Sequence, residues 1–140
     1  MIYAVIDTNV LVSALITHHP DAATAKVVRL LLEKTFVPIF NADIIAEYGD
    51  VLHRPKFPIQ REVADSLIAH IIENGVEASR VNSMESMPDE DDRVFYEVSL
   101  SMDESFLVTG NLKHYPNSPR VISPSDFVNV LCGELIDTGK

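Results

Sequence analysis

Short apolar runs alternate with stretches of helical periodicity along most of the chain, and this constrains the fold more than any other feature. Met1-Ile-Tyr-Ala-Val-Ile6 is short, apolar and rich in β-branched and aromatic residues, which reads as a buried strand. Thr35–Phe40, Val76–Val81, Ser105–Val108 and Arg120–Ile122 read as further strands. Between them lie helical segments: Thr8–Ile16, Asp21 to about Lys34, Asn41 to about His53, a stretch from Pro58 or Ile59 to Gly75, and Arg93–Met102. Asn41 is placed to cap its helix, Gly75 stands at a C′ position, and Ser123-Pro124-Ser125-Asp126 has the residue types of a helix start. Strand and helix in alternation imply βα units and a parallel sheet with right-handed crossovers. The expected class is α/β, a Rossmann-like three-layer sandwich with a central parallel sheet flanked by helices.

No internal repeat or linker breaks the 140 residues, so one domain over 1–140 is expected, with a loose tail from about 134 to 140. No apolar run approaches the roughly 20 residues of a membrane span. The first residues lack the basic and small-residue pattern of a secretory leader. With Cys132 as the single cysteine, a cytoplasmic setting is expected.

Several polar residues then fall at places where such a sheet puts chemistry. Asp7 ends the first strand, and Thr109 and Asn111 follow the strand that ends at Val108. Both positions are carboxyl ends of parallel strands, where open α/β sheets bind ligands. Glu47 sits at the border of the arc defined by Ile44, Tyr48 and Val51 on its helix. Asp89-Glu90-Asp91-Asp92 opens another helix; the macrodipole accounts for one or two of these acids, not four. Asp92 is the member best placed to enter a pocket and Asp89 the second choice. Each has a plain structural reading as well: Asp7 as a helix cap, Glu47 as a solvated glutamate, the acidic run as a solvated loop, Asn111 as a turn residue. If they gather, carboxylates this close stay ionised only beside a cation, which argues for a divalent metal and chemistry on phosphate.

Other chemistry is poorly supplied. Neither GxGxxG nor GxxxxGK[ST] occurs, one cysteine excludes a Cys-rich zinc site, and there is no GxSxG elbow. The formal net charge of −10 favours a small-molecule substrate over a nucleic acid unless part of the acidity is a metal pocket.

Taken in order, Met1–Asp7-Thr8-Asn9-Val10, Glu47 before Val51-Leu52-His53-Arg54-Pro55-Lys56-Phe57, Asp89-Glu90-Asp91-Asp92-Arg93-Val94-Phe95 and Val108-Thr109-Gly110-Asn111-Leu112-Lys113-His114 resemble the PIN domain. The likeness is greatest to the toxin components of bacterial toxin–antitoxin systems related to VapC. It implies an endoribonuclease that hydrolyses RNA phosphodiester bonds with one or two Mg²⁺ or Mn²⁺ ions, frequent homodimers and an inhibitory antitoxin protein. By position, Asp7, Glu47 and Asp92 take the places of the family's three acids, as catalytic residues and metal ligands. Asn111 falls where many members carry Asp, and Asn9 is a secondary candidate beside Asp7. Lys113, Arg93, Arg54, Lys56 and Arg120 are candidates for contacting the RNA backbone. Two other readings stay open: a catalytically weak or inactive binding or regulatory module, motivated by Asn111, and a small-molecule phosphohydrolase. The latter lacks a second acid in Asp7-Thr8-Asn9.

Overall fold

The computed structural model describes residues 1–138. Its strands are β1 (Tyr3–Ile6), β2 (Val37–Phe40), β3 (Val76–Glu77), β4 (Phe106–Val108) and β5 (Val121–Ile122). They form one parallel sheet in the order β3-β2-β1-β4-β5, with β1 at the centre. The helices are α1 (Thr8–Ile16), α2 (Ala23–Leu32), α3 (Ala42–Leu52), α4 (Arg61–Asn74), α5 (Arg93–Ser99) and α6 (Pro124–Thr138). Single 3₁₀ turns at Glu90–Asp92 and Leu112–His114 precede α5 and follow β4. The α/β architecture expected from the alternation is therefore the one observed.

β1 reads as a continuous apolar run because it is buried from both sides: Ala4, Val5 and Ile6 have almost no exposure. α5 packs on β1 and β4, α4 on β2, and α2 against α1 and α6. Phe127 fixes α6 to the sheet through edge-to-face contacts with Phe36 and Phe106, at centroid distances of 4.9 and 5.7 Å. No helix among the described residues is long and apolar enough to cross a membrane.

Several local readings hold and several shift. Asn41 caps α3 by accepting from the Ile44 amide at 2.9 Å, and Ser123 accepts from Asp126 at the start of α6. The cap of α2 is Ala22 rather than Asp21, and α4 begins at Arg61. β3 shrinks to two residues and α5 ends at Ser99. α6 continues to Thr138, within the stretch from about 134 expected to be a loose tail; residues 139 and 140 lie outside the described ones.

Gly75 is a helix end of a different kind from the expected left-handed cap. Its φ of −97° and ψ of −172° are extended backbone that any residue adopts. Glycine is required because a Cβ there would lie 2.5 Å from two carbonyl oxygens, those of Ile71 and Pro38. Pro38, inside a central strand, is tolerated by the same arrangement. The Val37 amide donates to the Ile2 carbonyl just before β1, so the next residue faces β3, and β3 pairs only from Ile39 onward.

Candidate functional site

Asp7 occupies the N-cap position of α1, with φ −64° and ψ 142°, yet its carboxylate makes no capping bond. The side chain is committed elsewhere. Oδ2 accepts from Thr109 Oγ1 and from the Tyr115 hydroxyl, both at 2.9 Å, and from Asn9 Nδ2 at 3.3 Å. The Asp7 amide donates to Val108, so the end of β1 is stitched to the end of β4. Asn9 closes the stitch, its Oδ1 accepting from the Gly110 amide at 3.1 Å.

Glu47 reaches this place because α3 is anchored beneath β1. The buried Tyr48 hydroxyl donates to the Ile6 carbonyl, one residue before Asp7. That contact turns the preceding residue, half-buried Glu47, toward Thr8, whose hydroxyl donates to Glu47 Oε2. Asp92 arrives from the third direction, on the 3₁₀ turn before α5. Its Oδ2 lies 3.2 Å from His114 Nδ1, on the turn that follows β4.

The electrostatics show that the three acids share one neighbourhood. Burial raises the Asp7 carboxyl above the ordinary range, against the opposing hydrogen bonds from the Thr109 and Tyr115 hydroxyls. Burial also raises Glu47, which feels the charges of Asp7, Asp92 and Asp91. Asp92 is raised by burial and then by Asp7, with His114 pulling it back. Tyr115 is held far above its usual value, first by burial and then by Asp7 and Asp92, so it stays a donor.

The other expected residues divide. Thr109 is fully buried at the centre, bonding Asp7 with its hydroxyl oxygen and accepting from the Asn111 amide. The Asn111 side chain is exposed and makes no hydrogen bond among the described residues. Asp89 caps the 3₁₀ turn by accepting from the Asp91 amide at 2.9 Å, and so acts on Asp92 through charge and backbone. Lys113 is exposed and has no hydrogen-bond or ion-pair partner among the described residues. Arg54 pairs with Asp50 one helical turn away, and Lys56 lies over the Phe57 ring.

Arg93 and Arg120, expected at the RNA backbone, point instead into the protein. Arg93 bonds Glu90 and the carbonyls of Ser83 and Glu85. Arg120 bonds the carbonyls of Ser99, Met102, Asp103 and Ser105, holding the 99–105 connection. Both charges are better satisfied by backbone oxygens that would otherwise lack donors.

Four residues not among the expected site residues prove important. Tyr115, His114 and Thr8 each hold one of the three acids, and Glu97 acts through the chain that delivers Asp92. Glu97 is only 4% exposed, yet it accepts from Arg80 at 2.9 Å and from the Ser83 amide at 2.8 Å. With Arg93 and the Tyr96–Glu85 bond it clasps the long connection between β3 and the Asp92 turn. His114 closes the Val108–His114 segment already singled out and Tyr115 directly follows it, which is the signal that could have found them. For Thr8 the signal is adjacency to Asp7; nothing in the sequence marks Glu97.

Among the described residues, no three Asp, Glu, His or Cys side chains close on one point at metal-holding distance. The donor set still suits a hard cation. Mg²⁺ takes oxygen ligands and is often held by only one or two carboxylates plus water. Asp7 with Asp92 or Glu47 supplies those, already repelling one another for want of a counter-charge.

Comparison with known proteins agrees with this geometry. The family model described as PIN domain matches residues 3–113, a span that includes every acid of the site. A search of curated proteins gives no significant match. Among solved structures, the crystal structure of VapBC2 from Rickettsia felis bound to a DNA fragment from their promoter contains a similar chain. The TM-score is 0.53 at 17% identity, covering 87% of this chain and 97% of that one, a likeness of fold. With a parallel sheet of this order, acids gathered at its carboxyl edge and a family match over most of its length, the chain belongs to the PIN-domain family.

Proposed function

We propose that this protein is a metal-dependent endoribonuclease, the toxin component of a toxin–antitoxin pair. One observation carries the reading: three carboxylates, from the end of β1, from α3 and from the turn before α5, are near enough that Asp7 raises the proton affinity of Glu47 and Asp92, and Asp92 that of Glu47. Folding gains nothing from such a cluster, so it belongs to function. Mg²⁺ or Mn²⁺, when bound, supplies an activated water and neutralises charge developing on the phosphate. Asp7, Asp92 and Glu47 are the residues that would hold it, with Asn111 as a neutral oxygen donor at the rim.

The rest of the work falls to this chain's own side chains. Thr109, Tyr115 and Asn9 fix Asp7 by one oxygen, so its orientation is set before substrate arrives. Thr8 orients Glu47, and His114 orients Asp92. Lys113 meets the RNA backbone as a point charge, with Arg54 and Lys56 further out. No protein nucleophile is needed.

The test is cleavage of labelled RNA with Mg²⁺ or Mn²⁺. Wild type should cut, and both EDTA and Asp7→Asn should abolish cutting. Cleavage that survives either change overturns the reading. An antitoxin partner and a homodimer belong to the same proposal. They are checked by co-purification with the product of an adjacent reading frame, and by light scattering of the purified chain.

A second reading is favoured by two observations: no three ligands converge among the described residues, and Asn111 is exposed and neutral. In it the domain binds a partner without turnover. Calorimetry showing Mn²⁺ binding, together with no cleavage of varied RNAs, would select it.

A further inference from the structure

A hollow of about 280 Å³ lies beside the site, lined by Leu112, Lys113, Tyr115, Pro116, Asn117 and Val121. We propose that it is a subsite for one unpaired nucleobase of the RNA strand, next to the phosphate being cut, with Lys113 on the adjoining phosphate. The proposal rests on the ribonuclease reading and says which part of the substrate is recognised.

Three observations carry it. First, Tyr115 belongs to both places: it lines the hollow, and its hydroxyl bonds Asp7 Oδ2 at 2.9 Å. The hollow is therefore one side chain from the carboxylates. Second, its chemistry is that of a base pocket. Leu112, left 46% exposed, and Pro116 offer apolar surface, while the exposed Asn117 amide can both donate to and accept from a base edge. The volume is just under the roughly 300–1,000 Å³ of sites that enclose a whole drug-sized ligand, which suits a single base. Third, the charge is placed for a nucleotide. Between residues 75 and 138 the cations are Arg80, Arg93, Lys113 and Arg120. Arg80 is committed to Glu97, Arg93 to Glu90 and loop carbonyls, and Arg120 to backbone carbonyls. Lys113 is left, and it lines the hollow. A base inside a duplex cannot enter such a pocket, so the strand must be single.

The experiment uses the whole chain and a short fluorescein-labelled single-stranded RNA. Binding is followed by anisotropy in EDTA, and cleavage in Mn²⁺. Leu112→Asp should weaken binding about tenfold, within the range for loss of one base contact. A duplex of the same sequence should compete poorly. Lys113→Gln, at an exposed position that cannot unsettle the fold, should raise KM with kcat unchanged. It should also reduce the slope of log affinity against log salt by about 0.7, one phosphate on a single strand. If both variants bind and cut single strands like the wild type, or if duplex competes as well as single strand, the subsite is refuted. If wild type cuts no RNA while both variants still lose binding, the subsite stands and the cleavage reading falls.

Discussion

Tyr115→Phe tests the arrangement around Asp7 with the smallest change available: one oxygen atom leaves the core. Tyr115 and Asp7 are each 5% exposed, so water is poorly placed to replace the lost donor. A hydrogen bond to a charged group contributes about 1.5–3 kcal/mol, against about 0.5–1.5 kcal/mol for a neutral pair. Thr109 and Asn9 remain on the same oxygen, and phenylalanine leaves no new buried polar group. The expected loss is therefore about 2 kcal/mol while Asp7 is ionised. In the Asp7→Asn background the same change should cost about 1 kcal/mol, leaving a coupling of roughly 1 kcal/mol between the two positions. The pH dependence has a definite sign. The donor favours the charged carboxylate, so removing it raises the Asp7 pKa further. The cost is then full above the folded pKa of Asp7 and shrinks as pH falls through it. Urea unfolding in EDTA at several pH values measures this, with a constant m-value showing that only stability has changed. Equal costs in the wild-type and Asp7→Asn backgrounds, at every pH, would show that Tyr115 is only a packed ring and refute the argument.

Three further outcomes are expected. Asp7, Glu47 and Asp92 all have raised folded pKa values, so the folded protein holds more protons than the unfolded chain above about pH 4. Their contribution to stability therefore falls as pH rises through the folded values. In EDTA, Asp7→Asn should gain stability relative to wild type between mildly acidic and neutral pH, and Mn²⁺ should narrow the gap; a gap that shrinks with rising pH counts against the shared cluster. Gly75→Ala should cost about 2–3 kcal/mol, because two backbone carbonyls 2.5 Å from the new Cβ cannot yield. Gly75→Asn should be no better, whereas a rescue by Asn, which tolerates left-handed backbone, would mean that conformation and not space demands the glycine. Glu97→Gln should cost about 1–3 kcal/mol and speed amide exchange and proteolysis across residues 78–89, with a lower kcat as the Asp92 turn loosens. Unchanged exchange in that segment would remove Glu97 from the positioning of Asp92.

The legible parts of the fold are those specified by short stretches of chain. β1 is readable because its buried residues, Ala4, Val5 and Ile6, follow one another directly, and Asn41 and Ser123 because a cap needs one side chain and the amide three residues on. What fails is what depends on a distant partner. Val76–Val81 looks like a strand, yet only Val76 and Glu77 pair with β2 as a strand, and after the Ala78 amide donates to Phe40 the chain turns away. Gly75 looks like a left-handed cap from its position after a helix, and only the approach of Pro38, 37 residues earlier, reveals that the constraint is space.

The same division runs through the site and accounts for the awkward net charge of −10. Asp7, Glu47 and Asp92 can be picked out because the ends of strands and the first turns of helices are places with known geometry. The residues that hold them cannot: Tyr115 is 108 positions from Asp7, and Thr8 is 39 from Glu47. Cations are the hardest to read, since a guanidinium looks the same in a sequence whether it meets RNA or a loop carbonyl. Arg80, Arg93 and Arg120 are all committed to partners within the protein, clasping the 78–90 and 99–105 segments that carry and follow α5. The basic residues of this half thus stabilise connections while its acids crowd the sheet edge. A protein that meets a polyanion with so few free cations needs another source of positive charge. On the proposed function, divalent ions on those acids would supply it, and RNA affinity would then depend on Mn²⁺ even where cleavage is blocked. Anisotropy with an uncleavable phosphorothioate strand should therefore show tighter binding in Mn²⁺ than in EDTA for wild type, and no difference for Asp7→Asn. Equal affinity for wild type in the two buffers would break the link between the acidic edge and the substrate.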